Sequence, residues 1–223
     1  AYVCRINEIP ATAGHGVPVQ QLFKFKDGER VVGATTTDPR FMEEFAHEKP
    51  ALGEEYEEPY PHFIAVSRGG MALRFTLWPH KEPSTSRGRL FGRLKSGDEF
   101  LSVFQVYAED DVCALSKSSR FLTANVMDVN LLAGAGKGVT LIKLDTDDPL
   151  VGAFPAHMNV SFTKSTGGVQ KLKAGARQAT GRGGQGRPLM SRGQVKALTY
   201  PAPTPPVFEE EPSTKPKARR KKR

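Results

Sequence analysis

The chain has almost no cysteine: Cys4 and Cys113 are the only two in 223 residues. Each sits in an apolar, strand-like run with no second ligand nearby, which reads as two buried reduced thiols rather than a disulfide frame. No run of about 18 apolar residues occurs, so no membrane-spanning helix is expected. The N-terminus lacks the charged, apolar and small-residue regions of a signal peptide, and the cytoplasm is the expected compartment. The five histidines are scattered without metal-ligand spacing. No Ser/His/Asp, Cys/His or paired-carboxylate arrangement stands out, so catalysis within this chain is not expected.

Two nucleotide motifs are also missing in substance. Gly181-Arg182-Gly183-Gly184-Gln185-Gly186 satisfies G-x-G-x-x-G in form only. That fingerprint works where a strand feeds a helix whose N-terminus meets a pyrophosphate, and here Pro188 and a short strand follow. Gly136-Lys137 fails as a phosphate loop, because Gly138 replaces the magnesium-binding Ser/Thr and Leu131 the leading glycine. No ATP site is expected.

What the chain has is a repeat. Residues 111–153 read as strand, turn, strand, a Gly-Lys-Gly element, a strand ending in acidic residues, and a second apolar run. Residues 62–103 offer the same order. Gly88 and Gly138 lie 50 residues apart, and Gly97 and Asp147 keep that offset. A period of about 40–50 residues is that of a four-stranded propeller-type blade. Units are expected at about 1–40, 62–107, 111–157 and 158–198. The first opens partway through a repeat, as a domain cut from a longer protein would. Residues 41–61, rich in Glu and Pro, form an insertion, expected to be a surface loop with a short helix near 41–47.

The formal charge of +8 is unevenly spread. Residues 213–223 hold seven basic and no acidic residues, and Glu209, Glu210 and Glu211 subtract three, leaving +4 for residues 1–208. Within those, residues 41–58 hold seven glutamates against Lys49, a local −6, so the repeats together carry about +10. Residues 201–223 read as a Pro-rich, then acidic, then basic disordered arm. A basic rim on a repeat scaffold points to a polyanionic partner, most often nucleic acid.

Candidate contacts follow from recurrence. The glycine elements bring Arg87 and Arg89, Lys137, and Arg182 with Arg187. Gly183, Gly184 and Gly186 are placed to bring bare N–H groups close to a phosphate. The return strands add Arg5, Arg74 and Lys171, with Ala124 in the third unit. For any one unit the residues leave open an ordinary turn glycine requiring positive φ. Set around a rim, such residues could follow a bent duplex.

Tyr2 to Pro10, Gly16 and Asp27-Gly28-Glu29-Arg30 resemble repeats of the C-terminal domain of the A subunit of bacterial type IIA topoisomerases, DNA gyrase and topoisomerase IV. So do Lys137-Gly138-Val139 leading to Ile142-Lys143-Leu144, and Gly97-Asp98-Glu99. The resemblance covers residues 1 to about 198. It implies an all-β fold, a β-pinwheel whose blades exchange strands, with a positive rim that binds, bends or wraps duplex DNA beside the cleavage core. It implies as partners the rest of the A subunit and the B subunit of an A2B2 enzyme, in the bacterial cytoplasm at the nucleoid. ATP and magnesium belong to that holoenzyme; no cofactor is implied for this chain. Gyrase A subunits carry a Gln-Arg-Arg-Gly-Gly-Lys-Gly box. Residues 180–186 keep Arg182, Gly183, Gly184 and Gly186 of it and depart at Thr180, Gly181 and Gln185. A propeller-like protein-interaction module, docking a partner through the acidic insertion, is the other class of function.

Overall fold

The computed structural model describes residues 1–11, 14–49, 59–173 and 179–202. The acidic half of the insertion and the Glu- and Lys-rich arm therefore lie largely outside the described residues. Twelve strands appear among them: β1 (His62–Ser67), β2 (Met71–Thr76), β3 (Phe100–Val106), β4 (Asp111–Ser116), β5 (Arg120–Asn125), β6 (Leu131–Leu132), β7 (Val139–Thr140), β8 (Leu150–Pro155), β9 (Val160–Lys164), β10 (Val169–Leu172), β11 (Arg187–Pro188) and β12 (Val195–Thr199). The described helical pieces are single 3-10 turns. The fold is all-β, as expected.

The strands form three sheets, ordered β3-β1-β2-β6 with β7 also on β2, then β11-β5-β4-β8, then β10-β9-β12. Each is built on an antiparallel hairpin: β1 on β2, β4 on β5, β9 on β10. Every residue of β1 is buried, as are five of six in β2 and β4. Strands covered on both faces need no polar alternation, which is why the sequence there reads as continuous apolar runs. One cluster, including Ile64, Val66, Leu122, Ile142 and Leu150, joins the first two sheets. A second, including Leu115, Phe154, Phe162 and Val195, joins the last two.

Carboxylates hold the hairpin turns. Asp98 accepts from the Ser67 hydroxyl at 2.6 Å and the Gly69 N–H at 2.9 Å, and Asp148 from the Ser116 hydroxyl at 2.7 Å and the Ser118 N–H at 2.6 Å. These pairs are why the acidic landmark recurs next to Gly97 and Asp147. At the β9–β10 hairpin the Ser165 hydroxyl instead accepts from the Gln194 N–H at 3.2 Å.

Outer strands are lent across seams. β6 and β7 follow β5 in the chain yet pair with β2, and β11 follows β10 yet pairs with β5. The N-terminal segment takes part likewise: Ala1 exchanges two main-chain bonds of 2.8 Å with Arg89. Tyr2 to Pro10, expected in the place of a return strand, hold no ladder and include a 3-10 turn at Ile6–Glu8. The insertion is more than a surface loop. Its 3-10 turn Glu43–Ala46 buries Phe45, which meets Trp78 edge-on at 4.8 Å, and Lys81 lies 5.1 Å above the Trp78 ring. Cys4 and Cys113 are free thiols, Cys113 fully buried.

Candidate nucleic-acid interface

Three glycines build the seams. Gly88, Gly138 and Gly186 have φ of 70°, 70° and 69°. A Cβ on them would stand 2.7 Å from the Ala1 carbonyl oxygen, 2.2 Å from that of Ala72 and 2.7 Å from that of Phe121. Only glycine adopts this conformation at such an approach without strain. Their recurrence therefore reflects one blade's backbone pressed against the next. Gly186, expected to approach a phosphate, is spent on Phe121.

Several expected contacts are structural as well. Arg74 is 5% exposed; its Nε donates to the Val129 carbonyl at 2.6 Å and its N–H to the Asn130 carbonyl at 3.0 Å. A side chain sealed in a seam cannot reach a phosphate, so Arg74 is removed from the rim row. Its register partner in the third unit is Thr123, not Ala124: β7 meets Ala72 where β11 meets Phe121. Arg89 is half-buried and donates to the carbonyls of Glu82 and Pro83. Arg182 is exposed, but its Nε donates to the Asp128 carbonyl at 2.6 Å and a terminal nitrogen to that of Thr140 at 3.4 Å. Around it, the Thr180 N–H donates to Thr123, the Gly183 N–H to Leu141, and the Gly184 carbonyl accepts from Lys143, at 2.7–2.8 Å. The most glycine-rich loop is thus fastened to the third unit along most of its length.

Arg5, Arg87, Lys137, Lys171 and Arg187 are exposed, as are Gly183 and Gly184. Beside them stands a row that the sequence reasoning missed. The N–H groups of Lys24, Arg93 and Lys143 donate across successive seams to the carbonyls of Ser86, Gly136 and Gly184, at 3.3, 2.8 and 2.8 Å. All three side chains are exposed. The acceptors immediately precede Arg87, Lys137 and Gln185, with Arg187 two residues further on. Each of three seams therefore sets an exposed cation of one unit next to the basic glycine element of the following one. The signal was a basic residue followed by an apolar one before each acidic turn: Lys24-Phe25, Arg93-Leu94 and Lys143-Leu144.

A cavity of about 560 Å³ is lined by Phe41, Glu43, Glu44, His47 and Tyr107. Burial, and then the carboxylates of Glu44 and Asp110, raise the Tyr107 phenol above its ordinary value. Glu99 is engaged by Arg68 at 2.6 Å and Arg30 at 3.4 Å. Among the described residues no group of three His, Cys, Asp or Glu side chains could hold a metal ion. No described helix is long and apolar enough to cross a membrane.

Residues 1–38 and 131–157 match the DNA gyrase C-terminal domain family, a β-propeller. The second stretch contains the seam glycine Gly138, and both contain a seam cation, Lys24 in the first and Lys143 in the second. Among curated proteins none matches the sequence. Among solved structures, the C-terminal domain of DNA topoisomerase IV superposes with a TM-score of 0.65 at 15% identity, over 84% of this chain and 55% of that one. The DNA gyrase A C-terminal domain superposes with a TM-score of 0.52 at 19% identity, over 68% and 56%. The chain spans just over half the length of each. Along the two matched stretches in sequence, and along most of its length in fold, the chain is similar to the C-terminal domains of the DNA gyrase A subunit and of topoisomerase IV.

Proposed function

We propose that this chain is a non-catalytic DNA-binding domain of a type IIA topoisomerase A subunit, gyrase or topoisomerase IV, that bends duplex DNA along its seams. The observation that carries this reading is the row of seam cations: Lys24 beside Arg87, Arg93 beside Lys137, and Lys143 beside Arg187. Exposed cations at a repeated structural position suit a repeated polyanion. None is fixed by a described carboxylate, so each can give its charge to a phosphate. Such contacts position the duplex without reading bases, and bending then depends on how easily the sequence deforms. DNA cleavage, ATP and magnesium belong to the rest of the A subunit and to the B subunit of an A2B2 enzyme, and the whole acts on the bacterial chromosome in the cytoplasm. Gyrase-like wrapping of fixed hand calls for the full box, from which Thr180, Gly181 and Gln185 depart, so bending is the function assigned.

The test is binding of a plain duplex across a salt series, comparing the chain with a Lys24→Ala, Arg93→Ala, Lys143→Ala variant. Each lost phosphate contact should make the slope of log affinity against log salt shallower by about 0.9. A slope indifferent to the triple change sinks the seam row. If the duplex does not bind at low salt, the DNA reading itself fails. The acidic, aromatic cavity of Phe41, Glu44 and Tyr107 would then favour docking of a basic protein segment.

A further inference from the structure

The cavity beside the Glu43–Ala46 turn joins two aromatic rings to two carboxylates. Phe41 and Tyr107 stand 44% and 49% exposed on it. Tyr107 is held from behind: the Gln105 amide donates to its hydroxyl at 2.9 Å, its own N–H donates to Asp110 at 2.8 Å, and the Tyr60 ring stacks on it at 6.0 Å. Glu43 is exposed and Glu44 half-buried, and neither carboxylate has a hydrogen bond or ion pair among the described residues. A ring beside an unpaired carboxylate attracts an organic cation twice, through the negative face of the ring and through charge.

The cations nearby are already engaged. Lys81 stands 5.5 Å from the Phe45 ring and 5.1 Å from that of Trp78. Arg40 lies 6.0 Å over Phe41, but its Nε donates to both Asp38 oxygens at 3.0 and 3.1 Å, and its charge is met there. The complementary charge is elsewhere in the sequence: residues 215–223 hold seven basic and no acidic residues. They can reach the cavity. Tyr200 packs edge-on to Phe154 at 6.4 Å, next to Ala153, whose N–H donates to the Ser102 hydroxyl at 3.2 Å. Ser102 precedes Tyr107 by five residues along β3 and its end, about 17 Å. The 13 residues from Ala202 to Lys215 span up to about 43 Å. A tether of that length makes docking intramolecular, so even a weak site fills.

We infer that the cavity of Phe41, Glu43, Glu44 and Tyr107 is the docking site of residues 215–223 of the same chain, which lay lysine and arginine stems on the two rings and set their charges on the two carboxylates. So docked, these cations are withheld from any polyanion, and an acidic partner must displace the cavity to gain them. The contact is separate from the seam cations and is read without DNA.

Carbodiimide coupling of the whole chain at low concentration, without DNA, tests it. The reagent activates a carboxylate, and a lysine amine in contact displaces it to leave an amide bond. Mass mapping should find Glu43 or Glu44 joined to lysines of residues 215–223, within a single chain of 24.4 kDa. Raising the salt to about 1 M, where the screening length falls to about 3 Å, should cut the yield about tenfold. Phe41→Ser, and separately Arg219→Ser with Arg220→Ser, keep every coupling group yet should each lower the yield about threefold, the worth of an exposed cation–ring contact. The arginine variant leaves the cavity intact, so it decides the matter should Phe41→Ser alter the melting temperature. Coupling of Glu43 and Glu44 only to a second chain, no link from either to residues 215–223, a yield indifferent to salt, or an unaltered yield in the arginine variant overturns the inference.

Discussion

Arg74 and Lys171 occupy the same register position, in β2 and β10, and have opposite surroundings. Arg74 lies under the lent segment, 5% exposed, with its guanidinium on the Val129 carbonyl. Lys171 lies on an uncovered edge and is exposed. Neither side chain chooses this. Arg74 is covered by β6, a segment that follows β5 in the chain, and Lys171 has no such cover among the described residues. A basic residue in a repeat is thus a seam bolt or a rim charge according to its neighbour's chain, not its own.

The sharpest way to break the comparison is to remove both side chains. Arg74→Ala leaves a buried carbonyl without its charged donor and opens a gap, and should cost about 2–4 kcal/mol. For a domain of this size the melting temperature should fall by about 6–12 °C. Lys171→Ala should change stability by less than about 0.5 kcal/mol. Equal losses in calorimetry would show that the lent strand does not decide the matter.

The glycines repeat the contrast at smaller scale. Gly138→Ala drives a Cβ into the Ala72 carbonyl at positive φ and should cost about 2–3 kcal/mol. Gly16→Ala meets no neighbour among the described residues, so only the left-handed conformation counts, about 1 kcal/mol. Urea titrations of the two variants rank them, and a reversed order would contradict the seam geometry.

A smaller, pH-dependent effect belongs to the covered side. His80 is 5% exposed, edge-on to Phe75 at 5.9 Å and Phe91 at 6.5 Å, with no described partner for Nδ1. Burial first, then the positive charges of the N-terminus and Arg89, lower its pKa from 6.5 to about 4. The folded state holds His80 neutral where the unfolded chain would protonate it. Its contribution is therefore complete above the ordinary value and lost as pH falls from about 6.5 to about 4. His80→Phe should flatten that part of the stability curve in acid melts. An unchanged slope would assign it to other groups.

The repeat was legible in the sequence because its landmarks are backbone requirements. The glycines at 88 and 138 and the carboxylates beside 97 and 147 must recur wherever the seam and the turn recur. The role of the cations was not legible. Arg74, Arg87 and Arg182 look alike as letters, and only strand exchange buries the first, leaves the second exposed and fastens the third to Asp128 and Thr140. The hairpins repeat at an offset of 49 residues, Ser67 to Ser116, while Gly88 and Gly138 keep 50. Alignment on the glycines therefore shifted the return strand by one place and put Ala124 where Thr123 stands. Lys24, Arg93 and Lys143 escaped notice because their importance comes from a main-chain bond to another unit.

Strand lending also fixes how the molecule comes apart. A blade completed by its successor has no stability wholly its own, so free energy is shared between nearest neighbours, as in a linear array with coupling terms. Units two and three are each held from the following side by β7 and β11, while the β9-β10 hairpin has no such coupling among the described residues. Opening should begin at the last sheet and travel backward one seam at a time.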